Sequence, residues 1–318
     1  MESMMEWLLI IDGGATKTAC ALVHAESGEI KYTTSSSGSN YQAIGAIAAT
    51  EILQALLANV QGFLQQQDDS TIAVATFAMA GIDSPKDHEA VSAIVHSALS
   101  TLQLKIDTLI IENDAQATLL GVTAGQAGAL LIAGTGAIAY AYDGTQIVRA
   151  GGWGHRAGDE GSGYWLGQEI IRAIFRMEDG RGEPTILKNA VYDYLQIQDV
   201  TELASWLFRP SYTNAQLAKM GAFLAGAVTK KDSCAIQISM CAAHELVLLA
   251  CAVVKKIDYK GEAFSLYCNG GAIKHNPLIF KTFSQEMKSM YPEIEISLCQ
   301  HQPIHYLIER TKKAYDSL

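Results

Sequence analysis

The order of predicted secondary structure occurs twice along this chain, and this repetition constrains the fold more than any other sequence feature. Hydrophobic patterning in the first half predicts three strands, a long helix, a strand, a helix, a strand and a helix, at about 7–11, 18–23, 29–35, 41–66, 71–79, 86–100, 107–111 and from 114. The second half repeats it, with strands at 128–133, 137–142, 146–150, 264–268 and 294–298 and helices near 276–289 and from 304. A helical insertion at about 162–257 interrupts the repeat.

Glycines occupy matching positions in the two halves. Gly13-Gly14 and Gly134-Thr135-Gly136 each separate the first two strands, and Ala80-Gly81 and Gly270-Gly271 each follow the fourth strand. We therefore predict an α/β protein of two duplicated domains, 1–117 and 118–318, with loops of both lining a cleft. The division is expected near 117–127, and the last helix could pack back on the first domain.

Composition restricts the class of protein. The 318 residues are 49% hydrophobic and 18% charged with a formal charge of −10, which excludes a disordered chain and disfavours a nucleic-acid partner. The N-terminal segment has no basic leader, and the most apolar stretch, 246–254, is too short to cross a bilayer, so we expect no membrane association and a cytoplasmic location. The six cysteines show no metal-binding spacing and are expected to be buried thiols.

Two glycine hairpins suit phosphate groups. Asp12-Gly-Gly14-Ala-Thr16-Lys17-Thr joins two strands and matches neither a Walker A loop nor a dinucleotide fingerprint, so alone it would be an ordinary hairpin. Ile132 to Ala137, which includes Thr135 and Gly136, occupies the equivalent hairpin. Two such loops could hold one polyphosphate from opposite sides.

Two carboxylates follow apolar strands. Asp114 has two interpretations, a helix N-cap, which this segment alone favours about two to one, or a general base at the carboxyl end of a strand. Asp12 has the same two options. A carboxylate beside a phosphate loop would organise Mg²⁺, most naturally through water.

The segment 151–165 contains six glycines in thirteen positions, together with two acids, His155, an arginine and two tryptophans. It predicts an exposed, specific loop before a helix that starts after Gly161, and its mixture of groups suits a sugar. Trp165 is expected to pack in the core, and His155 to make a structural hydrogen bond instead of transferring a proton.

These motifs resemble the N-acetylglucosamine kinases, which belong to the BadF/BadG/BcrA/BcrD ATPase group of the actin, sugar-kinase and heat-shock-chaperone superfamily. The resemblance runs from about residue 7 to 275, and Gly151-Gly-Trp-Gly-His155 followed by Gly158-Asp-Glu-Gly-Ser162 is its most specific part. It implies two actin-like, ribonuclease H-like domains and ATP-dependent, Mg²⁺-dependent phosphorylation of an amino sugar at the 6-hydroxyl, N-acetyl-D-glucosamine first. A homodimer is a further possibility.

The resemblance also implies a role for each matching residue. Asp114 would be the base, and Asp12 would hold Mg²⁺ through water. The residues expected at ATP are Asp12, Gly14, Thr16, Lys17, Thr135 and Gly136, with Ala227 and Gly271 near the adenosine. The residues expected at the sugar are Asn40, Asp114, Trp153, Gly154 and Asp159.

Two departures from the family pattern leave the sugar open. Ala80 and Ala137 stand where related kinases can carry serine. The alternatives are a kinase for glucosamine or another hexosamine, and a non-catalytic ATP-dependent sugar sensor on the same fold, which would keep the phosphate loops without needing Asp114.

Overall fold

The computed structural model describes residues 5–67, 70–261 and 263–318. These divide into two compact units, one formed by the chain up to Gln126 together with Gln300–Leu318, the other by Ala127–Cys299.

The first unit is built on a five-stranded mixed sheet in the order β3-β2-β1-β4-β5. Strands β1, β4 and β5 run parallel, whereas β2 and β3 are antiparallel to their neighbours. The elements are β1 (Met5–Gly13), β2 (Lys17–His24), β3 (Ile30–Ser37), α1 (Tyr41–Ile44), α2 (Ala46–Leu64), β4 (Ser70–Met79), α3 (Pro85–Ser100), β5 (Ile106–Asn113) and α4 (Asp114–Val122).

Both faces of the β1 strand are buried, which explains its uninterrupted apolar sequence. Leu9 and Ile11 face one core with residues of α2 and α3, and Leu8 and Ile10 face another core with Ala117 of α4. The predicted long helix over 41–66 is interrupted at Gly45. This residue has φ of +83°, a conformation that glycine adopts without steric cost, so the chain forms α1 and α2 as separate helices.

The second unit repeats the same sheet, in the order β8-β7-β6-β9-β10, and carries the expected helical insertion between β8 and β9. Its strands are β6 (Gly128–Ala133), β7 (Ala137–Tyr142), β8 (Ile147–Gly151), β9 (Phe264–Asn269) and β10 (Ile294–Leu298). Its helices are α5 (Gly163–Glu178), α6 (Leu187–Leu195), α7 (Val200–Leu207), α8 (Asn214–Lys219), α9 (Phe223–Thr229), α10 (Ser233–Lys256), α11 (Gly271–Lys274) and α12 (Pro277–Met290), with a 3₁₀ turn at Met220–Ala222.

The last helix, α13 (Pro303–Tyr315), belongs to the first unit. Leu307 and Ile308 pack in the same core as Leu8, and the hydroxyl of Thr311 donates to that of Thr76 over 2.9 Å. The structure changes unit after Gln126, within the region 117–127, and again after Cys299. A boundary after residue 117 itself would cut α4.

Two helices are long and apolar enough to be compared with membrane spans. Both α2 and α10, of 19 and 24 residues, meet the length and hydropathy of a membrane span. Each buries an apolar face in the core of its own unit, with Leu53 and Val60 of α2 and Leu246 and Val254 of α10 fully covered. A helix that is buried in a protein core can reach the length and hydropathy of a membrane span.

The cysteines are less uniformly buried than expected. All six are free thiols; four of them are buried, Cys234 is half-buried and Cys241 is exposed. Cys241 lies on the outer face of α10, so it does not serve as a core residue.

Candidate active site

Three parallel strands of the first unit end at one edge of its sheet. The register aligns Gly13 of β1 with Met79 of β4, and Met79 with Asn113 of β5. Asp12 therefore lies near the end of β1, and Asp114 directly follows the end of β5. Carboxyl ends of parallel strands form the usual ligand side of an α/β sheet.

The helix cap at this edge is Asn113, and the interpretation of Asp114 as an N-cap was wrong. The Asn113 side-chain oxygen accepts hydrogen bonds from the backbone N–H groups of Ala115 and Gln116, at 3.0 and 3.1 Å. Its amide nitrogen donates to the Ile82 carbonyl over 3.1 Å. Because Asn113 satisfies the end of α4, the helix does not require Asp114 as its cap.

Burial raises the pKa of Asp114 to about 6, against hydrogen bonds that favour the charged form and with a small further increase from Asp83. The pKa of Asp12 is also raised to about 6, first by burial, then by the negative charge of Asp114, while Lys17 opposes the shift. The two carboxylates are thus close enough to repel each other. A carboxylate with a pKa near 6 is ionised at neutral pH yet basic enough to accept a proton.

The first glycine hairpin packs tightly on the chain that follows β3. Within the hairpin, the Gly14 N–H donates to the Lys17 carbonyl over 3.1 Å. A Cβ on Gly38 would lie 2.1 Å from the carbonyl oxygen of Ala15, so only glycine allows this approach. Thr16 and Lys17 are exposed at the turn, where a phosphate can reach them.

Asn40 lies beside the turn that follows β4. It is the N-cap of α1 and accepts the Gln42 N–H over 3.0 Å, and a Cβ on Gly81 would come within 2.7 Å of its side-chain oxygen. Gly81 has φ of +88°, and its carbonyl accepts a hydrogen bond from the Gln42 side chain. Asn40 is therefore held at the same sheet edge as Asp114, as a sugar contact would require.

The second glycine hairpin is joined to the start of α5. The Gly163 N–H donates to the Gly134 carbonyl over 2.7 Å, and the Tyr164 N–H donates to the Thr135 carbonyl over 3.2 Å. Thr135 itself is exposed. These bonds orient the hairpin carbonyls toward the helix and leave the hydroxyl of Thr135 for a ligand.

Asp159 supports the same hairpin. Its carboxylate accepts the Ala137 N–H over 3.0 Å, and a Cβ on Gly136 would approach it to 2.8 Å. Asp159 is 9% exposed and has φ of +65°, a conformation that costs free energy for a non-glycine residue. Burial raises its pKa, although the Ala137 N–H and His155 act in the opposite direction. One of its oxygens is thus committed to the hairpin, and its contact with a sugar stays a prediction.

The rest of the 151–165 loop presents exposed groups. Trp153 is 69% exposed, with the Arg149 guanidinium 4.4 Å from its ring centroid, and Gly154 is also exposed. His155 makes the expected hydrogen bond, over 3.1 Å to the side chain of Asn214. Trp165 packs against the core, as predicted.

A cavity of about 450 Å³ opens beside the second hairpin. Thr135 and Gly271 both line it, and small residues of α8 and the following turn, such as Ala218 and Ala222, leave room for a flat ring. Ala227 does not line this cavity; it is buried in α9 and borders a separate cavity with Asn189 and Lys230. The structure therefore brings Gly271, but not Ala227, to the hairpin.

Comparisons with known proteins identify the family of this chain. Residues 11–305 match the model of the BadF/BadG/BcrA/BcrD ATPase family. The chain belongs to this family. It is 29% identical over 295 residues to an N-acetylmuramic acid/N-acetylglucosamine kinase of Clostridium acetobutylicum, with 92% of this chain and 94% of that protein covered. It is 30% identical over 296 residues to an N-acetyl-D-glucosamine kinase of Dictyostelium discoideum, with 90% and 91% covered.

Solved structures share the fold at lower identity. A Chromobacterium violaceum protein described as a candidate N-acetylglucosamine kinase superposes with a TM-score of 0.72 at 22% identity, over 97% of this chain and all of that one. A glucokinase of Streptomyces griseus, solved with glucose and AMPPNP, superposes with a TM-score of 0.55 at 17% identity, over 96% and 98%. The fold of this BadF/BadG-type ATPase is therefore the actin-like fold of sugar kinases.

A BadF/BadG-type ATPase is expected to use Mg²⁺ with ATP, and one residue here suits it. No group of three or more His, Cys, Asp or Glu among the described residues is arranged to hold a metal ion. Mg²⁺ bound with a nucleotide keeps several waters and needs only one or two carboxylates besides phosphate oxygens. The partly buried carboxylate of Asp12, next to the first hairpin, fits that requirement.

Sequence reasoning missed several residues of this ATPase. Lys219 and His275 line the cavity with Gly271, and Asp83 acts on the charge of Asp114. Nothing in the spacing indicates these residues, because they come from segments that only the tertiary structure assembles. Asn113 had a local signal, since an asparagine followed by an acid in the first turn is a common helix start.

Proposed function

We propose that this protein is an ATP-dependent kinase that transfers the γ-phosphoryl group to the 6-hydroxyl of an amino sugar, with N-acetyl-D-glucosamine as the preferred substrate. The observation that carries the proposal is Asp114. It lies at a strand's carboxyl end and has a raised pKa, and Asn113 already performs the capping that would otherwise explain it. The kinases of Clostridium acetobutylicum and Dictyostelium discoideum support the choice of sugar.

In the proposed reaction, the sugar 6-oxygen attacks the γ-phosphorus, the bond from that phosphorus to the bridging oxygen of ADP breaks, and Asp114 accepts the hydroxyl proton. Thr16 and Thr135 place hydroxyl donors at the phosphate oxygens as charge develops on them. Asn40 orients the sugar. Mg²⁺, when bound, neutralises phosphate charge, and Asp12 would hold it.

The identity of the sugar is tested by a coupled ADP-release assay with a panel of substrates. N-Acetylglucosamine, glucosamine, N-acetylmannosamine, N-acetylmuramic acid and glucose should be compared at equal concentrations, and we expect N-acetylglucosamine to give the highest kcat/KM. A glucosamine kinase of Vibrio cholerae is 27% identical over 203 residues, or 64% of this chain, so free glucosamine is the first alternative. A higher kcat/KM for glucosamine would replace the proposed substrate.

The same assay separates a kinase from a sugar sensor. A kinase forms a sugar phosphate in stoichiometric amount with ADP, and its turnover collapses in Asp114→Asn. The matched control is Asp107→Asn, which removes the same charge from an exposed position on β5, the strand that precedes Asp114. If the protein binds a sugar but forms no phosphorylated product with any sugar of the panel, the result would favour the sensor.

A further inference from the structure

Another cavity of the Ala127–Cys299 unit has no role in the proposed reaction. It measures about 650 Å³ and lies along α5. Three arginines line it, Arg172, Arg176 and Arg181, although the whole chain has only seven arginines and a formal charge of −10. None of the described residues that line it is acidic. The lining of this cavity is therefore cationic, and the same arginines also border a neighbouring cavity that is lined by Glu169, Glu183 and Glu245.

The three guanidinium groups keep capacity for an anion. Arg172 pairs with Glu169 and Arg181 pairs with Asp179, but neither acid lines the cavity. No carboxylate in the described part of the chain forms an ion pair with Arg176. An arginine has five N–H donors, so one that already binds a carboxylate can still donate to a second anion.

The remaining wall of the cavity is aromatic and apolar. Tyr164, Phe175 and Tyr212 contribute ring surfaces, and the Tyr164 hydroxyl accepts a hydrogen bond from Gln168 over 3.0 Å. Burial and the neighbouring Tyr164 raise the pKa of Tyr212 to about 12, so that ring stays neutral beside an anion. The cavity thus combines guanidinium groups that can bind an anion with aromatic rings that can pack against an organic group.

We propose that this cavity binds an organic phosphate monoester. A phosphate monoester carries nearly two negative charges at neutral pH and matches the planar fork of arginine, so it suits three guanidiniums better than a single carboxylate does. The cavity is much larger than a free phosphate ion. The organic part of the ester would occupy the remaining space, against the aromatic wall. A ring-containing ester, such as a sugar phosphate or a nucleoside monophosphate, has this chemistry.

The cavity is connected to both parts of the candidate active site in this unit. The ring of Tyr164 lies 4.9 Å from the ring of His155, in the 151–165 loop. The backbone N–H of Tyr164 donates to the Thr135 carbonyl in the second hairpin. Resting on the proposed function, we infer that occupancy of the cavity changes the kinetics of the kinase through Tyr164. Binding itself does not depend on that function.

The test is calorimetric titration of the full-length protein with glucosamine 6-phosphate, AMP and inorganic phosphate as probes. Arg176→Gln should weaken the binding of the tighter monoester at least tenfold, because one charge-assisted donor set is lost. Arg172→Gln gives a second, independent variant, and both side chains are exposed, so folding should persist. Arg209→Gln is the matched control, since Arg209 is exposed and does not line the cavity.

Hydrogen exchange locates the probe. A monoester bound in the cavity should slow exchange in peptides covering 168–181 and 207–217, and Arg176→Gln should abolish that effect. Protection confined to the glycine hairpins, or equal affinity in wild type and both cavity variants, would place the probe in the active site and overturn the proposal. The stronger of glucosamine 6-phosphate and AMP identifies the source of the ester. An absence of binding by all three probes also overturns it.

These readouts separate the two proposals. Binding of a monoester in the cavity without phosphorylation of any sugar would support the proposed binding site and contradict the proposed kinase activity. Phosphorylation with unchanged kinetics in Arg176→Gln, together with no monoester binding, would support the kinase activity and contradict the proposed binding site.

Discussion

Replacing Asp114 by Asn should strongly reduce kcat and, at the same time, make the folded protein more stable above pH 6. In the native state the Asp114 carboxyl has a pKa of about 6, against an ordinary value of 3.8, mainly because of burial. The native state therefore holds a proton that the unfolded chain has released. The free energy of unfolding falls as the pH rises from about 4 to about 6, and the charged, buried Asp114 destabilises the protein at all higher pH values.

The size of this effect follows from the shift of about two pKa units. Each unit corresponds to about 1.4 kcal/mol, so ionised Asp114 costs about 3 kcal/mol above pH 6. Asn is neutral at every pH, has nearly the same size, and can still accept the Ala115 N–H. Asp114→Asn should thus be up to about 3 kcal/mol more stable than wild type at pH 8 and equally stable at pH 4. Removing this charge also relieves the repulsion on Asp12.

The loss of activity has a separate origin. Without a group to accept the sugar proton, kcat should fall by about 10²- to 10⁴-fold while ATP binding changes little. In wild type, kcat/KM should rise with pH through about 6 and then level off, with the apparent value belonging to the Asp12 and Asp114 pair. Asp114→Asn should lose this rise.

The assay pairs urea unfolding at pH 4 and pH 8 with coupled kinetics, using Asp107→Asn as the control. Near-normal kcat in folded Asp114→Asn would show that Asp114 is not the base, and Asp159 would become the next candidate for that role. A stability difference that is the same at both pH values would show that Asp114 is not desolvated. Either result refutes the reasoning.

Further expectations concern other residues and a conformational change on sugar binding. Thr16→Val and Thr135→Val should each weaken ATP binding and turnover, because they remove donors at developing phosphoryl charge, and steady-state kinetics at varied ATP measures this. Asn40→Ala should mainly raise the KM for sugar; equal effects of all three variants on that KM would contradict the assignment. Asn113→Ala should lower the free energy of unfolding by about 1–2 kcal/mol in urea titrations, since it removes the cap of α4. Small-angle scattering should show compaction with saturating sugar, because a kinase must exclude water from ATP; identical profiles would argue against closure.

The sequence by itself determined the order of elements, both glycine hairpins and the composition of the 151–165 loop. These depend on local properties. Alternating or periodic apolar residues predict strands and helices. Gly13-Gly14 and Gly134-Thr135-Gly136 predict turns, because glycine-rich segments between two strands favour turn conformations. The role of Asp114 as a base came from the same local reading combined with family resemblance, and its raised pKa supports it.

Only the tertiary structure decided which neighbouring residue does what. Asn113 and Asp114 are adjacent in sequence, and both could cap α4; the Ile82 carbonyl, 31 residues away, orients Asn113 and leaves Asp114 at the sheet edge. Gly271 and Ala227 looked alike as small residues, yet only Gly271 lines the cavity beside Thr135. α13 joins the first unit because its apolar face matches a core formed by Leu8 and Ile10. Burial and long-range contacts set each of these outcomes, and neither has a signature in local sequence.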